Sequence, residues 1–248
     1  MTMRGRLETL RVEELALPDI YPRDLTSVIP LRLPLAFLSI SKLSTTSLQE
    51  WLTRRGISSG GEGQYRRLHG ALVARAGRGI VFIESNDEMA EQRFTAAHET
   101  AHFLEDHVAP RLKALKAFGE TIRPVLDGKR PPTAEESVSS VLNRAPLGVQ
   151  VHLMARGPTG GISHWDVEER EQRADRLALE IVAPASAARQ VLRRVVHPDG
   201  TCTMDAAAAA LSQHFGLPTN TACSYATMLF REGRSRPRLS ETLLGAKR

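Results

Sequence analysis

The chain has 248 residues, of which 42% are hydrophobic and 25% charged, with a formal net charge of +5 at pH 7. Such a composition can bury a sizeable core and excludes collagen-like, low-complexity and disulfide-framework proteins. The longest apolar runs, LPLAFLSI and DAAAAAL, are far too short to cross a bilayer, which argues against a membrane protein.

The opening stretch MTMRGRLETLRVEEL has no apolar secretion core, and the two cysteines, Cys202 and Cys223, lack metal-type spacing. A reduced, cytoplasmic compartment is the expectation. Residues 1–60 read as an N-terminal cover segment. Pro18, Pro22, Pro30 and Pro34 break its first half into short pieces. Ser47 and Glu50 then resemble a capping box opening a short helix over SLQEWLTRRG, with Gly56 as its stop and SSGGEGQ as a loop.

Two β-rich runs follow, GALVARA (70–76) and GIVFIES (79–85), separated by Gly77 and Arg78. They predict a hairpin with a tight turn. Its second strand is expected to be an exposed edge that takes up an extended peptide by β-addition. Asn86 or Ser85 is expected to cap the next helix, where apolar residues recur at Ala90, Phe94, Ala97, Ala101, Leu104 and Val108.

That helix carries the most informative residues of the chain, His98-Glu99-Thr100-Ala101-His102. Four apart on a helix, His98 and His102 stand one turn above the other on one face. Two neutral imidazoles so placed fill two corners of a tetrahedral zinc site. Glu99, one step round, is placed to act as a base towards a water molecule at that site.

Residues 110–166 are less legible. RLKALKAFGETIRPVL and EESVSSVLNRA look helical, GVQVHLM alternates like a strand, and RGPTGG reads as a loop. A strong helix follows over 167–182, ended by Pro184. Its residues Glu168, Glu171 and Asp175 fall along one face, where like charges repel unless a cation relieves them. Any of them is a candidate third metal ligand, although pairing with Arg170, Arg173 and Arg176 explains them equally well. His107, His152 and His164 compete for the third place but read better as surface or structural histidines. His152 or His164 is also a candidate proton donor or oxyanion stabiliser. His69, His197 and His214 read as structural.

DAAAAALSQHFG and PTNTACSYATMLF complete the chain as helix, glycine turn and helix. The tail from residue 231 to 248 is basic, with Arg231, Arg234, Arg236, Arg238, Lys247 and Arg248 against Glu232 and Glu241. No aromatic residue interleaves with those arginines, so a solvated tail is preferred over nucleic-acid contact.

At this point two motifs resemble a known family. RFTAAHETAHFL is similar to the RFTxAHExxHxxL signature of the ImmA/IrrE metallopeptidases. EQRADRLALEIVAP is similar to that family's second motif, with Leu177 where Phe is usual and Ala183 where Met is usual. The resemblance implies that His98, His102 and Glu171 bind Zn2+, that Glu99 is the general base, and that Asp175 orients a ligand imidazole. It also implies an α+β fold with a minimal thermolysin-like core: a small antiparallel sheet or hairpin, the HExxH helix and a ligand helix, with helical additions.

On that basis the core spans 64–184 with an insertion at 110–165, because the interval between the motifs is longer than in most members. A helix-turn-helix-like unit then covers 185–230, suited to docking or substrate recognition more than to reading DNA. The implied activity is zinc-dependent endopeptidase cleavage of a cytosolic helix-turn-helix repressor in a stress-response or mobile-element circuit. A non-enzymatic transcriptional regulator with a structural zinc is the alternative, and it requires four protein ligands.

Overall fold

A computed structural model describes residues 15–57, 64–155, 165–195 and 202–234. The expected RGPTGG loop, His164, His197 and the tail beyond residue 234 lie outside them. The fold is α+β, a mixed four-stranded sheet carrying helices on both faces.

The N-terminal part contributes more than a cover. A short helix α1 (Leu25–Val28), capped by the Asp24 side chain, leads into strand β1 (Leu35–Ile40). Helix α2 (Thr45–Thr53) begins one turn earlier than expected, because Ser44 and Ser47, not Ser47 and Glu50, form its reciprocal capping box. Strands β2 (Leu68–Arg75) and β3 (Arg78–Glu84) form the expected hairpin. Its turn falls at Ala76 and Gly77, both at positive φ (53° and 77°), the backbone that lets a two-residue turn follow the strand twist.

The strand order is β1-β3-β2-β4, where β4 is Val149–Ala155. Two expectations are corrected here. The sheet is mixed, since β1 runs parallel to β3 while the other pairings are antiparallel. And β3 is interior, held between β1 and β2, so the Gly79–Ser85 strand offers no free edge. The outer strand beside the hairpin is β4, which comes from the interval between the two motifs.

Helix α3 (Met89–His102) lies across the inner face of the sheet. No side chain caps it: Asn86 instead binds Glu84, and residue 88 holds the cap position. From Phe94 to His102 every residue is buried, so the helix is enclosed all round and not merely amphipathic. Small residues make this possible. Gly70 of β2 has no room for a Cβ, which would collide with Thr95 Cγ2 and lie 3.1 Å from the Phe82 carbonyl oxygen and 3.5 Å from Glu99 Cγ. Gly70→Ala is therefore expected to cost roughly 1–3 kcal/mol by overpacking. Thermal melting should show a drop of roughly 2–4 °C per kcal/mol, and an unchanged Tm would refute the tight approach.

After His102 the helix widens into a π-helical turn, Phe103–Val108, and resumes as α4 (Ala109–Phe118). Gly119 ends it at φ 69°, so the expected single helix over 111–126 is split, with α5 (Arg123–Leu126) beyond. A further short helix, α6 (Ala134–Ser137), and a 3-10 turn at Leu142–Arg144 replace the helix expected over 135–145. Ala114, Ile122, Val125, Leu126, Leu142 and Ala145 form a small core of their own. The interval thus has two parts, a satellite cluster and a strand that belongs to the main sheet. His107 ties them to the hairpin, accepting from the Gly77 N–H at 3.0 Å and donating to Gln150 Oε1 of β4 at 2.6 Å. Burial holds its pKa below the ordinary value.

Helix α7 (Trp165–Val182) packs along α3, and α8 (Ala185–Val195), α9 (Met204–Phe215) and α10 (Thr219–Arg234) follow. Gly216, left-handed at φ 65°, makes the expected glycine turn between α9 and α10. The main core joins the inner face of the sheet to α3, α7, α8, α9 and α10, while α2 covers the outer face through Leu48, Leu52, Phe82 and their neighbours. Among the described residues no helix is long and apolar enough to cross a membrane.

Candidate metal centre

Three elements converge under the sheet. Helix α3 brings His98 and His102, α7 brings Glu171 and Asp175, and β4 brings His152 from the edge of the sheet. The alternation of β4 turns Gln150, His152 and Met154 inwards. Accordingly Gln150 meets His107, and Met154 packs on the main core.

The two α3 imidazoles face each other, with their Nε2 atoms 3.1 Å apart. Glu171 Oε2 lies 3.4 Å from His98 Nε2 and 3.6 Å from His102 Nε2. On the far side of each ring a carboxylate accepts from Nδ1–H: Asp175 Oδ1 at 3.0 Å for His98, Asp106 Oδ2 at 2.6 Å for His102. Those two contacts fix the tautomers and leave both Nε2 lone pairs pointing at the same space. His152 completes the group. Its Nε2 is 3.1 Å from Glu171 Oε1 and its Nδ1 3.0 Å from Glu99 Oε2, and its ring stacks on His102 at 3.7 Å between centroids.

Burial disfavours a charged His98, yet the carboxylates of Asp175 and Glu171, with Glu99 nearby, outweigh it and hold its pKa up at about 9. The same contest leaves His102 raised, through Asp106 and Glu171. At His152 burial again opposes charge, but Glu99 and Glu171 push the pKa up to about 10. Glu171 responds inversely: burial raises it, and hydrogen bonds to the three histidines bring it far below the ordinary carboxylate range. The surrounding carboxylates thus favour positive charge within the cluster.

His98, His102, His152 and Glu171 form a group that could hold a metal ion, their donor atoms lying within 4.8 Å of one another. A further observation fits a cation with a water beside it. Glu99 is fully buried, and its Oε1 has no hydrogen-bond partner. An orphaned buried carboxylate oxygen is costly, and this one belongs to a side chain that bonds His152 and neighbours His98 in the cluster.

Comparison with known protein families, with curated proteins and with solved structures finds no match for this chain.

The remaining candidates divide clearly. Of the three acidic candidates on α7, Glu171 reaches both α3 histidines, Asp175 reaches His98 from behind, and Glu168 is exposed and outside the group. His69 pairs with Asp87 at 2.7 Å, and His214 packs against Tyr21 and Phe215, so neither belongs to the centre. Two residues of the cluster carry more weight in the structure than in the sequence. His152 is there only a secondary candidate, although its place in an alternating strand was the available signal. Asp106 carried no signal beyond its spacing of four from His102. A cavity of about 450 Å³ opens beside Asp175, walled by Leu179 of α7 and by Asn220, Ser224 and Met228 of α10.

Proposed function

We propose that this chain is a zinc-dependent endopeptidase with a minimal thermolysin-like core. The observation that carries the reading is the convergence of His98, His102 and Glu171, with the buried, half-unpartnered carboxylate of Glu99 alongside. Two histidines and a glutamate are a donor set for catalytic zinc, which keeps a fourth position open. The ion would be held by His98 Nε2, His102 Nε2 and Glu171, and supplies Lewis acidity and a lowered water pKa.

The chain's own residues do the rest. Glu99, one step round α3 from His98, accepts a proton at its free Oε1 when water attacks a scissile carbonyl. His152, hydrogen-bonded to Glu99 and Glu171, stands over the same site. It can donate to the carbonyl oxygen or to the departing amine. An extended substrate would lie along the outer side of β4, which pairs with β2 and with no other strand among the described residues. Val151 and Leu153 of that strand are partly exposed, an apolar surface on the face opposite His152. The likeness of the two motifs to the ImmA/IrrE metallopeptidases points to a cytosolic helix-turn-helix repressor as the protein cut.

His152 also supports a second reading, a closed site of four protein ligands in a non-enzymatic transcriptional regulator. Ring geometry weighs against it. The His152 and His102 rings stack with only 26° between their planes, so their in-plane lone pairs run side by side and do not converge on one ion. Mixing the full chain with a cytosolic helix-turn-helix repressor, with zinc or with a chelator, tests the choice. Chelator-sensitive cleavage into discrete fragments is expected. His152→Ala should keep about one zinc per chain and lose about 10²–10⁴-fold in rate. An intact repressor, together with zinc loss in His152→Ala, would establish the closed site instead.

A further inference from the structure

We infer that Asp106 is a positioning residue for the metal centre, holding the His102 ring by its Nδ1 so that Nε2 faces the ion. The inference rests on the metal-binding reading above. Asp106 Oδ2 lies 2.6 Å from His102 Nδ1, shorter than the 3.0 Å contact that Asp175 makes to His98. His102 is buried at 1% exposure, where an imidazole without such a partner could turn either nitrogen to the cavity. A carboxylate on Nδ1–H removes that freedom and makes Nε2 a better donor.

The bland alternative is an ordinary surface ion pair between Asp106 and Arg173. Distances argue against it. Arg173 Nε sits 3.2 Å from Glu105 Oε2, while its Nη2 is 4.0 Å from Asp106 Oδ1. The arginine is therefore engaged mainly by Glu105 and steadies Asp106 from a distance, while Asp106 is committed to the imidazole.

The local backbone gives a second argument. Asp106 lies in the π-helical turn Phe103–Val108, which begins at the residue after His102. Such turns are rare and recur at functional sites, because widening the helix re-aims the side chains that follow. Asp106 stands four residues after His102, the spacing at which side chains meet on one helical face, and keeps that contact through the turn. Arg173 stands on α7 between Glu171 and Asp175, so one helix supplies a ligand, one outer carboxylate and the brace for the other. Each α3 histidine then has its own acid: Asp175 from α7 for His98, Asp106 from the π-helical turn for His102.

Zinc affinity, measured by competition with a chromophoric chelator on the full chain, tests this without knowledge of the substrate. Asp106→Ala is expected to weaken zinc binding by about 10–100-fold. In Asp106→Asn the side-chain oxygen can still accept from Nδ1–H, so affinity should be largely recovered. Glu105→Ala, which removes the main partner of Arg173 but touches no imidazole, should stay within about twofold of wild type. Cobalt(II) in place of zinc reports the ligand field, and its visible spectrum should change in Asp106→Ala alone of the three. Wild-type zinc affinity in Asp106→Ala, with binding abolished in His98→Ala, would overturn the role of Asp106 and leave the metal site standing. If the wild-type chain binds no zinc, the metal reading fails and this inference with it.

Discussion

Glu99→Gln is expected to keep zinc, keep the fold and lose hydrolysis of the protein substrate by about 10²–10⁴-fold. The substitution conserves the shape of a fully buried side chain whose Cγ packs close to Gly70 of β2. Zinc content should not change, because Glu99 is not among the four residues whose donor atoms converge. What changes is the chemistry of one atom. The Oε1 that has no partner is a proton acceptor in the carboxylate, and neither atom of a neutral amide replaces it as a base. Stability should move the other way. A buried carboxylate costs more to desolvate than a neutral amide of the same shape, so Glu99→Gln is expected to melt no lower than wild type. Gain of stability with loss of rate is the signature of a residue kept for function. A variant that cleaves at the wild-type rate would remove Glu99 from the mechanism.

The residues that were legible in the sequence are those whose placement depends on local geometry. His98 and His102 share a helical face by spacing alone, and the hairpin shows itself in two short β-rich runs around a glycine turn. Glu171 stood among three equivalent acids on α7 until the resemblance singled it out, and only tertiary packing brings it to within 3.6 Å of both rings. His152 could not be placed by local reasoning, because its position follows from the pairing of β4 with β2 across most of the intervening chain. Strand β1 was hidden for a similar reason. It pairs in parallel with β3, a connection that requires a crossover and leaves no hairpin signal. Missing β1 is what made β3 look like an edge. Asp106 fell in the run Glu105-Asp106-His107, where a spacing of four from His102 on an exposed-looking acidic stretch reads equally well as an ordinary helical pair.

Removing the metal should be the largest perturbation of stability that needs no knowledge of the substrate. Zinc at about a thousandfold excess over its Kd would add roughly 4 kcal/mol to the folded state. For a chain of this size that corresponds to roughly 8–16 °C in Tm. The site joins α3 to α7 and β4, which lie on the far side of a long intervening segment, so the added stability should appear as one cooperative shift and not as a local transition. Glu171→Ala is expected to abolish most of it. Without the carboxylate the two Nε2 atoms 3.1 Å apart lose the oxygen that lies within 3.6 Å of both, and only imidazoles remain to hold a divalent ion. Glu168→Ala, on the same helix but outside the group, serves as the control and should retain the full zinc-dependent shift. Differential scanning calorimetry with zinc and with a chelator decides the matter. An equal zinc-dependent shift in wild type and Glu171→Ala would exclude Glu171 as a ligand and overturn the three-ligand site.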